Sequence, residues 1–168
     1  MSESDVPPDV TPEPEPQRFV LSFQSLVSWC ERHEYEFQAN DELEQIAIRY
    51  GLMETSTPLM IIPQWDSGMV VFAMRQPYQV PEDRVAAILA ATNRLNSMSF
   101  MGAWSVNIDS RELFFRVAIP VQEIQYTDNG VLAVARAVVG NSETATPTLH
   151  AIAIEGTDTD TALAALIK

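Results

Sequence analysis

The segment that most constrains the fold is NRLNSMSFMGAWSVNIDSRELFFRVAIP, residues 93–120. Apolar and polar residues alternate in 104–108 and again in 112–119, a period of two that is typical of half-buried strands. A polar turn at 109–111 joins the two runs. The alternation predicts an antiparallel hairpin whose inward side chains contribute roughly 1.5–3 kcal/mol each on burial. Those side chains are Trp104, Val106, Ile108, Leu113, Phe115, Val117 and Ile119.

Helical spacing occurs on both sides of this hairpin. An apolar stripe in 23–30 predicts a helix from Ser22 or Ser25 to about Arg32. Residues 80–83 open a second helix, because proline suits a first turn and carboxylates suit its positive end.

The remaining helices are expected after the hairpin. Residues 127–138 predict a third helix that ends at Gly140-Asn141, and residues 157–161 cap a last short helix carrying Leu163, Leu166 and Ile167. The segment 144–154 is ambiguous, because Pro147 would have to start or kink a helix there.

Short strands are expected between the first two helices, at residues 35–38, 46–52, 59–62 and 69–74. The last of these is apolar on both faces, as in a central strand covered on both sides, and Gln76-Pro77-Tyr78 ends it. The order of elements predicts an α+β domain, with helices packed on a single antiparallel β-sheet and part of the sheet left available.

The charge balance excludes several classes of partner. The 168 residues carry a net charge of −13, and no basic stripe is present to neutralise phosphates. We therefore expect no nucleic-acid partner and no binding to an anionic membrane surface, and we expect basic or neutral protein partners. The single cysteine rules out an intramolecular disulfide and favours a reducing compartment. The first residues lack the features of a signal peptide, so we expect a cytoplasmic protein.

Residues 1–17 are acidic and proline-dense. Such a segment buries too little apolar area to offset its ordering entropy, so we expect a disordered tail with polyproline II character. The predicted domain organisation is this tail, residues 1–17, followed by one α+β domain, residues 18–168.

No residue pattern indicates catalysis or a cofactor. His33 and His150 lack a second ligand at metal spacing and are interpreted as structural. Asp158 and Asp160 lack the glycine and distal glutamate of a calcium loop, so helix capping explains them better. Cys30 lies on an apolar stripe and is expected to be an inert buried thiol. We therefore expect no enzymatic activity, no metal and no cofactor.

Six methionines lie in or beside the predicted strands and the end of the second helix. Thioethers suit adaptable binding surfaces as well as irregular cores. Core packing is the favoured interpretation, and a binding role requires that several of them are exposed together. They are Met53, Met60, Met69, Met74, Met98 and Met101.

Several features occur together along residues 18–168. They are an asparagine-rich end to the proline-opened helix, a glycine-led hairpin whose second strand ends in proline, a late proline, and a Gly-x-x-Thr cap. The residues are Asn93, Asn96, Gly102, 114–120, Pro147, Gly156 and Thr159. This combination resembles the YbjN-like family of small bacterial proteins, and is most similar to its cyanobacterial members. Residues 157–160 depart from the more usual Ser-Pro-Glu cap, and Gly140-Asn141 interrupts an often longer helix, so we expect helix lengths that differ from the family pattern.

The resemblance implies the fold of the chaperones of bacterial type III secretion, a twisted antiparallel sheet flanked by helices that is commonly dimeric. The family carries no established enzymatic activity, cofactor or catalytic residues, and is loosely described as regulatory. Chaperones of the same fold bind extended segments of client proteins.

Two functional hypotheses follow. The first is a non-enzymatic protein-binding module, a YbjN-like chaperone, adaptor or regulator that forms a homodimer and offers an apolar sheet or helix surface to a protein partner. The alternative is a small-ligand sensor with an apolar pocket between sheet and helices. The candidate partner-binding residues of the first hypothesis are Trp65, Phe72, Met74, Trp104 and Phe114.

Overall fold

The computed structural model describes residues 16–50 and 57–166. Predictions for residues 1–15, 51–53 and 167 lie outside these ranges. In chain order the elements are β1 (Arg18–Val20), α1 (Phe23–Arg32), β2 (Phe37–Asn40), β3 (Gln45–Ile48), β4 (Leu59–Gln64), β5 (Met69–Gln79), α2 (Val85–Met98), β6 (Ala103–Asn107), β7 (Glu112–Pro120), β8 (Gln125–Thr127), α3 (Asp128–Ala153) and α4 (Thr159–Leu166). Short 3-10 turns precede β5 and α2.

Six strands form one antiparallel sheet in the order β2-β3-β4-β5-β7-β6, and β1 pairs with β8 in a separate two-stranded ribbon. The predicted hairpin is β6 and β7, whose pairing runs from Ala103↔Arg116 to Asn107↔Glu112. The predicted α+β class with helices packed on an antiparallel sheet is confirmed.

One face of the sheet, the inner face, carries the hydrophobic core. Ile61 on β4 pairs with Phe72 on β5, and Phe72 pairs with Val117 on β7, so the three side chains point the same way. All three belong to the buried core. α3 packs against β5 and β7, and α2 packs against β6. These helices therefore cover the inner face.

The first helix begins where its serines predict. Ser22 Oγ accepts a hydrogen bond from the Ser25 backbone N–H at 3.1 Å, and Ser25 Oγ accepts one from the Ser22 N–H at 2.8 Å. This reciprocal capping box satisfies two backbone donors that the helix leaves free. At the other end, Arg32 forms a 2.7 Å ion pair with Asp128 at the start of α3.

β5 is longer than predicted. It continues through Gln76, Pro77 and Tyr78 to Gln79, with an irregular register between Arg75 and Gln79. A proline is tolerated where the ladder of hydrogen bonds is interrupted in this way. Gln76 is buried, and its Nε2 donates to Ser142 Oγ on α3 at 3.3 Å. The strand therefore continues through the polar residue Gln76 because α3 supplies a hydrogen-bond partner for its side chain.

The prediction that Ile108 faces the core is wrong. Its side chain is 57% exposed, and β6 ends at Asn107. Asn107 Oδ1 accepts hydrogen bonds from the backbone N–H groups of Asp109 and Ser110, at 3.0 and 3.2 Å. This side-chain turn takes the chain out of the sheet one residue earlier than the alternation suggests.

The predicted helix end at Gly140-Asn141 is also wrong, because α3 is one helix of 26 residues. Buried residues continue at helical spacing past the glycine, at Ser142, Ala145 and Leu149. Packing of this face offsets the local cost of a glycine and a proline inside the helix. Despite its length, α3 falls short of the apolar character needed to cross a membrane, as does every other helix within the described ranges.

Candidate functional site

The face of the sheet opposite the core, the outer face, is also apolar. On β4, β5 and β7 the residues that alternate with core residues pair with one another: Met60 with Ala73, and Ile62 with Val71. Phe114 on β7 lies opposite Arg75, which alternates with Ala73 on the same strand. We call Met60, Ile62, Val71, Ala73 and Phe114 the outer-face patch.

The outer-face patch is separate from the core. Val71 is only 7% exposed, yet it does not belong to the cluster of core residues, and none of the other four residues packs against that cluster. The sheet itself separates the two apolar groups. A contiguous apolar surface that helices leave uncovered is typical of an interaction site.

A depression of about 450 Å³ lies over this patch. Its floor is the outer-face patch, and it is lined in addition by Thr57, Pro58, Gln64, Arg75 and Arg116. The Arg116 guanidinium lies 5.7 Å from the centre of the Phe114 ring, a cation–π distance. Arg75 forms an ion pair with Glu112, whose pKa is lowered chiefly by the hydrogen bond from Arg75.

A second exposed apolar group lies in the connection between α2 and β6. Met98 and Met101 are both 46% exposed, and Phe100 between them is fully exposed. Gly102 holds this connection against β7: its φ is +80°, and a Cβ on it would lie 2.6 Å from the Arg116 carbonyl oxygen. Only glycine allows so close an approach of the two backbones. Two of the methionines considered in the sequence are therefore exposed together.

The structure separates the five predicted partner-binding residues. Phe72, Met74 and Trp104 are buried on the inner face, so the folded protein does not present them to a partner. Trp65 is half-buried, and its Nε1 donates a hydrogen bond to a carboxylate oxygen of Glu44. Phe114 alone among them belongs to the outer-face patch.

Of the outer-face patch, sequence reasoning missed Ile62, Val71 and Ala73, and it considered Met60 only among the methionines. It also missed Arg116 beside Phe114. The sequence did indicate an apolar outer face, because residues 69–74 are apolar on both faces of the strand. The prediction was that other elements cover both of these faces. The helices of the described residues cover one face only. The apolar residues of the other face are therefore the candidates for binding.

The remaining reactive side chains have structural surroundings. Cys30 is fully buried, and burial raises the pKa of its thiol to about 12. His33 stacks against Tyr35 at 5.8 Å and lies 3.7 Å from Asp128, while His150 packs edge-on against Tyr78. Among residues 16–50 and 57–166, no three histidine, cysteine or acidic side chains lie together as metal ligands would.

The YbjN family model, described as "Putative bacterial sensory transduction regulator", matches residues 22–150, most of the chain. The chain belongs to the YbjN family. No curated protein matches it significantly. Whether this YbjN protein is of the cyanobacterial type stays a prediction.

Two solved structures share the YbjN fold of this chain. One is titled the crystal structure of "YbjN, a putative transcription regulator from E. coli"; it is 13% identical, with a TM-score of 0.63, covering 78% of this chain and 95% of that one. The other is a chain of the HopA1–SchA chaperone–effector complex, 8% identical, with a TM-score of 0.52, covering 74% and 94%. The predicted likeness to the type III secretion chaperone fold is confirmed.

Proposed function

We propose that this YbjN-family protein is a non-enzymatic adaptor or chaperone that binds a segment of a partner protein on the outer face of its sheet. The observation that carries the proposal is the outer-face patch. Its apolar side chains are excluded from the core, and the depression over them crosses three strands.

The energetics favour a partner on this surface. Covering apolar area contributes roughly 25 cal/mol per Å² removed from water, so covering the floor of the depression contributes roughly 3 kcal/mol before the entropy cost of association is subtracted. The floor is part of a continuous β-sheet, whose strands pair along their lengths. A binding surface built on such a sheet loses little conformational entropy on association.

The similar proteins support a binding role in general terms. The E. coli protein is titled "a putative transcription regulator", and the other solved chain comes from a chaperone–effector complex. We propose that this chain likewise acts through protein binding, as a homodimer and in the cytoplasm. Regulation would then follow from which partner occupies the outer face.

The test is capture of a partner from native lysate, followed by variants of the patch. Ile62→Ser and Phe114→Ser remove apolar contact area from the depression and should each lower partner recovery at least about fivefold. Leu89→Ser removes a leucine of α2 that is 43% exposed, away from the patch, and should leave recovery unchanged. Equal recovery with all three variants would place binding elsewhere and overturn the proposal.

The small-ligand sensor stays a prediction. Its pocket was expected between sheet and helices, whereas the depression described above lies on the opposite face. Stabilisation by one metabolite, measured as a shift in Tm without any protein partner, would favour the sensor. That shift should survive in Phe114→Ser if the metabolite binds on the inner side.

A further inference from the structure

The charges around the depression have the opposite sign to the protein as a whole. The chain carries 23 acidic residues and 10 arginines and lysines. Yet the charged residues that line the depression are Arg75 and Arg116, with no carboxylate among the described lining residues. Glu112 beside the lining pairs with Arg75, so the local charge is still positive through Arg116. An apolar floor beside two guanidinium groups selects an occupant that is apolar and anionic.

We infer that the partner segment is acidic as well as apolar: a stretch of apolar residues with aspartate or glutamate placed to reach Arg116 and Arg75. This inference rests on the proposed binding at the outer face and names the chemistry of what binds there. The net charge of the protein alone led us to expect a basic or neutral partner, and an acidic partner segment is the opposite of that expectation.

Arg116 is the principal anchor in this arrangement. It is exposed on the outer face, and its guanidinium lies over the Phe114 ring without a carboxylate partner among the described residues. The ring holds the guanidinium beside the apolar floor, and its N–H donors have no hydrogen-bond acceptor among the described residues. A guanidinium has five such donors, and a carboxylate accepts two of them in parallel.

Arg75 is the second anchor. Arg75 forms an ion pair with Glu112, but its side chain is still 61% exposed. Some of its guanidinium N–H groups therefore still face solvent. Arg75 lies directly opposite Phe114, whereas Arg116 lies opposite Ala73. The two guanidinium groups therefore extend from the neighbouring strands β5 and β7. An extended segment that crosses these strands contacts first one arginine and then the other.

The net charge and the local charge act over different distances. An acidic segment is repelled by the whole protein at long range and attracted by the two arginines at contact. Because the Debye length is about 8 Å at physiological ionic strength, added salt screens the long-range repulsion first. We expect the association rate of an acidic segment to rise about two- to fivefold as salt is raised from about 20 to 150 mM. The association rate of a basic segment would instead fall as the salt concentration is raised over the same range.

The experiment uses a phage-displayed library of random twelve-residue peptides, selected on the full chain. Phages that also bind Phe114→Ser are discarded, so that the recovered sequences report on the outer face. Arg116→Glu is selected in parallel. Arg136→Glu makes the same charge change on an exposed residue of α3, which packs on the inner face, and is the matched control.

The inference predicts that wild-type protein and Arg136→Glu enrich the same peptides, rich in apolar residues with one or more carboxylates. Synthetic versions should bind Arg116→Glu at least about tenfold more weakly, because the charge-assisted hydrogen bonds from Arg116 are lost and a glutamate there repels the peptide carboxylate. Enrichment of basic or neutral peptides that depend on Phe114 would overturn the acidic partner while leaving the binding face intact. No Phe114-dependent peptide at all would overturn both.

Discussion

The side-chain amide of Asn96 hydrogen-bonds both backbone groups of Trp104. Its Oδ1 accepts from the Trp104 N–H at 2.7 Å, and its Nδ2 donates to the Trp104 carbonyl at 3.0 Å. β6 lies at the edge of the sheet, where unpaired backbone groups invite another strand to add. Asn96 occupies the N–H and C=O groups of Trp104, near the start of this edge strand. The relationship favours binding across the outer face over addition of a partner strand to this edge.

Replacing Asn96 by alanine should lower the free energy of unfolding by about 1–3 kcal/mol, because the two backbone groups of Trp104 lose their partners. Thermal denaturation should show a fall in Tm of about 2–4 °C per kcal/mol for a chain of this size. Asn93→Ala, one turn earlier and exposed, is the control and should change little. Equal stability of the two variants would show that the contact with Trp104 contributes nothing.

Pro147 lies on the exposed side of α3 and cannot donate a hydrogen bond to the preceding turn. Pro147→Ala restores that donor and should stabilise the protein by about 1–3 kcal/mol, since a proline inside a helix costs about 3 kcal/mol. Urea denaturation monitored by circular dichroism would measure it. Thr144→Ala, another exposed position of the same helix, controls for helix propensity. A less stable Pro147→Ala would mean that packing depends on a bend at the proline.

The ion pair between Arg32 and Asp128 should make stability depend on pH. The hydrogen bond from Arg32 lowers the pKa of Asp128 below its usual value of 3.8. A carboxyl group whose pKa is lower in the folded state than in the unfolded state stabilises the fold at pH values above its unfolded-state pKa. This stabilisation is lost as the pH falls through its folded-state pKa. Both side chains are more than a third exposed, so the effect at pH 7 is about 0.5–1 kcal/mol.

Asp128→Asn should therefore have a lower Tm than the wild type at pH 7, and the gap should close as pH falls through the folded-state pKa of Asp128, which lies below 3.8. Measuring Tm across pH for Asp128→Asn, Arg32→Gln and the double variant separates the ion pair from other effects of each substitution. A gap that stays constant from pH 7 to pH 2 would show that the charge of Asp128 is not responsible.

Cys30 should be unreactive until the domain unfolds. Its thiol is fully buried with a pKa near 12, so native protein at pH 8 contains almost no accessible thiolate. Iodoacetamide labelling followed by mass spectrometry should give at most a trace of adduct in buffer and one adduct per chain in denaturant. A native labelling rate comparable with that in denaturant would place the thiol at the surface.

Local patterns predicted much of the fold. The capping serines Ser22 and Ser25 act within one turn, and the β6–β7 hairpin joins neighbours in sequence, so short-range alternation was sufficient for both. The β1–β8 ribbon was missed, because three-residue strands are too short to show a period. The binding residues were harder to predict: Phe72 and Val71 are adjacent, both apolar, and face opposite sides of the sheet.

The sequence by itself determined the kinds of element, most of their positions, the family resemblance and the acidic charge of the chain. Each of these depends on residue type or on spacing over a few residues. Only the tertiary structure decided which face of the sheet the helices cover, and that Gly140 and Pro147 lie inside one helix. Those outcomes depend on apolar area buried between elements far apart in sequence, which outweighs local propensity, so no short segment determines them.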